Sequence, residues 1–146
     1  MSQDDALLAA YEVGRFFVSD IYAFYQDTYR GVLGKVQVEA LDYLHVRGQA
    51  SIKELAERLN IPKQHASKIA AKLEELGLAC KTRDPRDGRS WLFSLTDEGL
   101  SFVGEHIAQS NDHLVAYLDS LGEKDRQDLL ASLETAARIV GSHHLN

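Results

Sequence analysis

Between residues 63 and 72 the chain carries Lys63, Gln64, His65, Ser67, Lys68 and Lys72. Lysine ammoniums hold phosphate oxygens as point charges. A glutamine amide can pair with the N6 and N7 edge of adenine, and a serine hydroxyl can reach a base or a phosphate. Further along, Arg83-Asp84-Pro85-Arg86-Asp87-Gly88-Arg89-Ser90 sets three arginines among turn-forming residues. A guanidinium at such a tip can enter a narrow minor groove, where negative potential is enhanced. The chemistry on offer is recognition of double-stranded DNA. Catalysis finds no comparable set: the sequence has no glycine-rich phosphate loop and pairs no nucleophile with a base, so no enzyme activity and no cofactor are expected.

These side chains need elements to hold them. Ser51-Ile52-Lys53-Glu54 reads as a capping box that opens a short helix with Ile52, Leu55, Ala56 and Leu59 as its apolar stripe. Asn60-Ile61-Pro62 interrupts it, and Pro62 suits the first turn of a second helix. That helix is predicted to run to Gly77, burying Ala66, Ile69, Ala70, Leu73 and Leu76. At about 100° per residue, Gln64, Ser67, Lys68, Ala71 and Glu75 fall opposite the buried stripe. Lys63, His65 and Lys72 flank it and suit backbone phosphates, whereas Glu75 would repel them. Two short helices across a tight turn make a helix-turn-helix.

Leu78, Cys80 and Thr82 then alternate with Ala79, Lys81 and Arg83, and Trp91, Phe93 and Leu95 alternate again, so two strands are predicted around the arginine-rich loop. A hairpin placed there is a wing. Arg83, Arg86 and Arg89 join the candidate DNA contacts. Asp84 and Asp87 are expected to orient Arg86 or Arg89 through ion pairs, which at exposed positions contribute at most about 1 kcal/mol.

Helical patterns flank the module. From Asp4 to about Tyr29, Leu7, Leu8, Tyr11, Phe17, Ile21, Phe24 and Tyr25 recur at helical spacing, and residues 36–46 continue through Val38, Leu41, Leu44 and His45 to a stop at Gly48. Seven of the eleven Phe and Tyr residues lie between Tyr11 and Tyr29. Such density suits burial against a second subunit; an aromatic wall for a small ligand is the alternative. Thr96 is predicted to cap a helix with Leu100, Val103, Ile107, Leu114 and Leu118 as its stripe. Gly122 opens a last one, with Leu129, Leu133, Ala136 and Val140 inward. His106 and His113 are seven apart, too far for two metal ligands per turn, and His143-His144 reads as a solvated tail, so no metal is expected. Cys80, the lone cysteine, is expected to be a buried structural thiol rather than a redox switch.

The formal net charge of −6 argues against a nucleic-acid partner until it is resolved along the chain. Residues 1–52 hold 4 basic and 7 acidic side chains, residues 53–90 hold 9 and 6, and residues 91–146 hold 3 and 9. The only positive region therefore coincides with the helix-turn-helix and wing. Attraction to phosphates is local, with a screening length of about 8 Å at physiological salt. At 146 residues the chain can bury a core without disulfides. An N-terminus without a basic start and no apolar run near the roughly 20 residues of a membrane span point to a cytoplasmic protein with no membrane partner.

Asp84-Pro85-Arg86-Asp87-Gly88-Arg89, followed by Leu95-Thr96-Asp97-Glu98-Gly99, resembles the D-x-R-D-x-R wing and L-T-x-x-G text of the multiple-antibiotic-resistance regulator (MarR) family. Ile52-Lys53-Glu54-Leu55-Ala56 and the Lys72–Leu78 run resemble its helix-turn-helix. The expected fold is mainly α, an α+β winged helix: a helix-turn-helix plus two-stranded wing, framed by long N- and C-terminal dimerisation helices. The divisions are residues 1–34 (N-terminal dimerisation helix), 35–96 (winged helix-turn-helix) and 97–146 (C-terminal dimerisation helices). The resemblance implies a homodimer on a pseudo-palindromic operator, usually a repressor and often released by a small-molecule effector. By that analogy an effector pocket is expected around Phe17, Tyr25, Tyr29, Leu41 and His45. Two departures stand out: Pro62 where a serine often opens the recognition helix, and Lys68 where an arginine fork is common. A transcriptional activator, or a winged-helix protein–protein module without DNA binding, are the competing readings.

Overall fold

The computed structural model describes residues 1–142, so His143 and His144 lie outside the described residues. The chain divides into two compact units, Met1–Ser110 and Asn111–Asn146. In the first, helix α1 (Gln3–Phe16) starts at Ser2, whose hydroxyl accepts from the Asp5 amide while the Asp5 carboxylate takes the Ser2 N–H. A π-helical stretch, Phe17–Tyr22, then leads into α2 (Ala23–Asp27). Helical periodicity alone does not foresee the π turn, which widens the helix and re-phases the side chains after it.

Helix α3 (Lys35–Arg47) ends at Gly48, whose φ of +84° stops the helix as its position in the sequence suggested. Strand β1 (Ala50–Ser51) precedes α4 (Ile52–Leu59). Ser51 accepts from the Glu54 amide at 3.2 Å and its hydroxyl donates to the Glu54 carboxylate at 3.3 Å, so the cap forms. Asn60, left-handed at φ 53°, turns the chain into α5 (Lys63–Glu75). Helix α5 stops two residues short of Gly77, and Leu76 is 40% exposed rather than buried. The cause is a Schellman turn: Gly77, at φ +77°, donates to the Glu74 carbonyl while Leu78 donates back to that of Leu73. Leu78, not Leu76, thereby returns to the core.

Strands β2 (Ala79–Arg83) and β3 (Trp91–Leu95) make the predicted hairpin, and β1 adds a third strand in the antiparallel order β1-β3-β2. A two-residue strand is too short to show alternation, which is why two strands were expected. Cys80 is exposed, 3.6 Å from the Ser94 hydroxyl, contrary to the buried thiol expected. Leu78 belongs to the preceding turn, so it does not set the strand's phase. The inward set begins at Ala79, and the pleat turns Cys80 outward.

Helix α6 (Asp97–Ser120) is capped by Thr96, whose hydroxyl accepts from Gly99 at 3.0 Å and donates to the Gly77 carbonyl at 2.6 Å. The Thr96 amide donates to Leu78, and a Cβ on Gly99 would collide with that same Leu78 carbonyl. The Leu-Thr-x-x-Gly text thus encodes a backbone-to-backbone docking of the first turn of α6. Its buried residues are Gly99, Val103, His106 and Ser110. Of the expected stripe only Val103 is buried; Leu100 is 47% and Ile107 36% exposed. The small and polar face meets the core, and the apolar one is left over.

The core joins Val38, Leu41 and Leu44 of α3, Leu55 of α4, Ile69 and Leu73 of α5, Phe93 and Val103. In the second unit, α7 (Glu123–Ser142) follows Gly122 as expected, and Arg126 lies 3.8 Å from Asp119. No residue of α7 is buried, so Ala136 and Val140 do not face inward within this chain. The whole is mostly helical with a small antiparallel sheet, the winged-helix class expected. No helix among the described residues is long and apolar enough to cross a membrane.

Candidate nucleic-acid interface

Helix α5 buries Ala66, Ile69, Ala70 and Leu73, so the residues between them are turned outward. Lys63, Gln64, His65, Ser67, Lys68, Ala71 and Lys72 are all exposed, as the helical projection requires. Pro62 sits at the N-cap and offers no side-chain cap. Lys72 Nζ lies 3.8 Å from the Glu75 carboxylate, so Glu75 draws on a flanking cation.

The wing loop is closed by Asp84 N–H donating to the Ser90 carbonyl and Ser90 N–H to that of Asp87, both at 2.9 Å. The two aspartates do not pair with guanidiniums. Asp84 accepts from the Arg86 backbone amide at 2.9 Å, and Asp87 from the Arg89 amide at 3.1 Å and the Ser90 hydroxyl at 3.2 Å. The expected ion pairs are therefore corrected. A carboxylate two residues before an amide closes an Asx turn more readily than it reaches a mobile guanidinium. The loop is shaped through its backbone, and the exposed Arg86 and Arg89 heads stay available for phosphates.

Arg83 has a second task that sequence did not suggest. It donates from Nη1 to the Gly88 carbonyl at 2.9 Å and lies with Cζ 4.1 Å from the Trp91 ring centroid. Lys53 was also missed as a candidate. A surface groove brings it beside Lys63, Arg89, Trp91 and the capping Ser51. No local signal could have found it: the pairing of Ala50 and Ser51 with Phe93 and Leu92 is what sets the start of α4 beside the wing.

The expected effector residues do not share one face. Leu41 and Tyr29 are fully buried, Tyr25 nearly so, Phe17 half-buried, and His45 exposed rather than on the core face of α3. Tyr25 and Tyr29 do come together, with other partners. Asp42 accepts from Tyr25 at 2.5 Å and from Tyr22 at 2.9 Å, and the Tyr25 and Tyr29 hydroxyls are 2.7 Å apart. Tyr29 stacks on His106 at 3.8 Å and 4°, and His106 Nδ1 lies 2.7 Å from the Phe102 carbonyl. Burial pushes the Asp42 carboxyl above its usual range, although Tyr25 and Tyr22 oppose the shift. Burial also raises the phenols of Tyr22 and Tyr25, with Asp42 adding to it, and pushes Tyr29 up to about 12.

A family model described as MarR family matches residues 31–90, from the approach to α3 through the wing loop. YxaD, an HTH-type transcriptional regulator of Bacillus subtilis (strain 168), is 33% identical over 127 residues, 87% of each chain. The chain belongs to the MarR family. This MarR-family protein is accordingly a DNA-binding transcription regulator, not an enzyme. MdtR, an HTH-type transcriptional repressor of the same organism, is 30% identical over 104 residues, covering 71% of this chain and 65% of MdtR. The transcriptional regulator Tm0710 from Thermotoga maritima shares the fold, with a TM-score of 0.82, 18% identity, and coverage of 92% of this chain and 96% of that one.

Proposed function

We propose that this MarR-family regulator is a cytoplasmic homodimeric repressor that reads a pseudo-palindromic operator. The exposed face of α5 enters the major groove, and Arg86 enters the adjoining minor groove. The observation that carries this reading is the outward row Gln64, Ser67, Lys68 and Ala71, opposite a fully buried stripe and beside a wing that leaves two guanidiniums exposed. Lys63, His65, Lys72 and Arg89 hold phosphates and fix the register. The repressor sign is supported by the name of the relative MdtR. A dimer is supported by Leu7, Leu8 and Tyr11 on α1 and Leu100 on α6, all between 47% and 69% exposed.

Release by a small effector acts at the α2–α3 contact, where Tyr25, Tyr29 and Leu41 lie. Its support is the polar network of Tyr22, Tyr25, Tyr29 and Asp42 set among core residues.

The test is Arg86→Ala, assayed on a duplex from upstream of the protein's own gene. The variant is expected to bind roughly 1–3 kcal/mol more weakly while remaining dimeric. Unchanged affinity would overturn the wing's role.

A further inference from the structure

We propose that Trp91 is the positioning residue of the wing: its indole, through Arg83, fixes the shape of loop 84–90 and so where Arg86 is presented. The shape claim stands on geometry alone, and only its consequence for DNA rests on the reading above. Arg83 and Trp91 are direct cross-strand partners, so their side chains rise on the same face of the hairpin. On this face Ala79 and Phe93 are buried against the helices, whereas Arg83 and the half-buried Trp91 stand at its outer end. There the indole still packs against the edge of the core and carries the sheet's apolar surface out to the start of the loop. Arg83 Cζ is 4.1 Å and Lys81 Nζ 4.8 Å from the ring centroid, both inside the roughly 6 Å reach of a cation–π contact. Two cations two residues apart on one face repel each other, and a shared ring offsets that.

A guanidinium can stack with its plane and donate from its edge at once, which an ammonium cannot do. Arg83 uses both, carrying the constraint from the ring to the Gly88 carbonyl at 2.9 Å. Gly88 is the middle residue of the second Asx turn, and the carboxylate bonds of Asp84 and Asp87 are local to the loop. The Trp91–Arg83–Gly88 chain therefore ties the loop to the sheet, where the aspartates only fold it. Trp91 is the single tryptophan of the chain.

The experiment compares backbone 15N order parameters of residues 84–90 in the full-length wild type, Trp91→Val, Trp91→Phe and Arg83→Lys. Valine keeps strand propensity without a ring, phenylalanine keeps a ring, and lysine keeps the charge without the planar fork. In Trp91→Val and Arg83→Lys the loop is expected to drop from about 0.85 to below about 0.6, with α5 unchanged and Trp91→Phe close to wild type. Should Trp91→Val fail to fold, Arg83→Lys carries the test. A loop as rigid as wild type in the variants that fold would overturn the proposal. Binding to the upstream duplex should weaken roughly tenfold in Trp91→Val, and adding that change to Arg86→Ala should cost less than the sum of the two single losses. Additive losses would contradict action through Arg86. A loosened loop with unchanged DNA affinity would uphold the positioning role and overturn the wing's contact with DNA instead.

Discussion

Leu55, Leu73 and Val38, in the helices around the helix-turn-helix, have lost essentially all contact with solvent, while Leu7, Leu8 and Tyr11 on α1 keep at least 60% of theirs. Both segments are helical and both carry apolar residues at helical spacing. The difference lies in what each finds to pack on. The winged-helix module builds its core from α3, α4, α5 and the sheet, completed by Tyr25, Tyr29 and Val103 from the flanking segments. The terminal helices α1 and α7 contribute no buried residue at all. Charge divides in a similar way: the winged-helix module holds the only positive stretch, and the flanking segments hold the acidic excess. One region is closed around a buried core and carries the positive stretch, and the other leaves apolar side chains exposed.

The sharpest way to break the buried half is Gly99→Ala, which sets a Cβ against the Leu78 carbonyl. Backbone cannot yield as a side-chain tip does, so a loss of about 3 kcal/mol is expected in thermal or denaturant unfolding. An unchanged midpoint would mean that the first turn of α6 does not dock as tightly as the geometry shows. For the other half, Leu100→Glu puts a carboxylate on the exposed apolar stripe. It should weaken self-association by about 2 kcal/mol in analytical ultracentrifugation while the far-ultraviolet circular dichroism stays unchanged. A variant as dimeric as wild type would remove Leu100 from the interface.

Smaller effects sharpen the contrast. Ser51→Ala removes the cap of α4 and should cost about 1 kcal/mol in urea unfolding. The tyrosine cluster adds a pH dependence whose sign is fixed. Folding raises the phenol pKa values of Tyr22, Tyr25 and Tyr29, so the native state holds these protons more tightly than the unfolded chain. Their contribution is complete below about pH 10, where the free phenol ionises, and is lost as pH climbs toward the folded values. Alkaline unfolding should therefore steepen above about pH 10, and Tyr25→Phe should flatten it; identical profiles would show that the cluster is not coupled to folding.

Much of the module was legible because its rules are local. Ser51 and Thr96 cap where their spacing says they should, Gly48 stops its helix, and the outward row of α5 follows from Ala66, Ile69, Ala70 and Leu73. What failed depended on contacts distant in sequence. Leu100 and Ile107 were read as inward because an apolar stripe normally finds the core, yet the close approach at Gly99 turns the small face in. Cys80 was misplaced because one residue of turn, Leu78, was counted as strand. The π-helical stretch re-phases Tyr22, Tyr25 and Tyr29, and a 3.6-residue period cannot anticipate their meeting at Asp42. At the wing the residue types were right and their roles were not: the aspartates cap amides, and Arg83 leans on Trp91.

The central claim is that a chain of net charge −6 binds duplex DNA through one positive face made of α5 and the wing. It is tested most directly by the slope of log affinity against log salt for the upstream duplex, in wild type and in Lys68→Ala. The wild type should lose affinity steeply as salt rises, and Lys68→Ala should lower the slope by about 1. Salt-independent binding, or a slope unmoved by Lys68→Ala and Arg86→Ala alike, would contradict the assignment of that face to DNA.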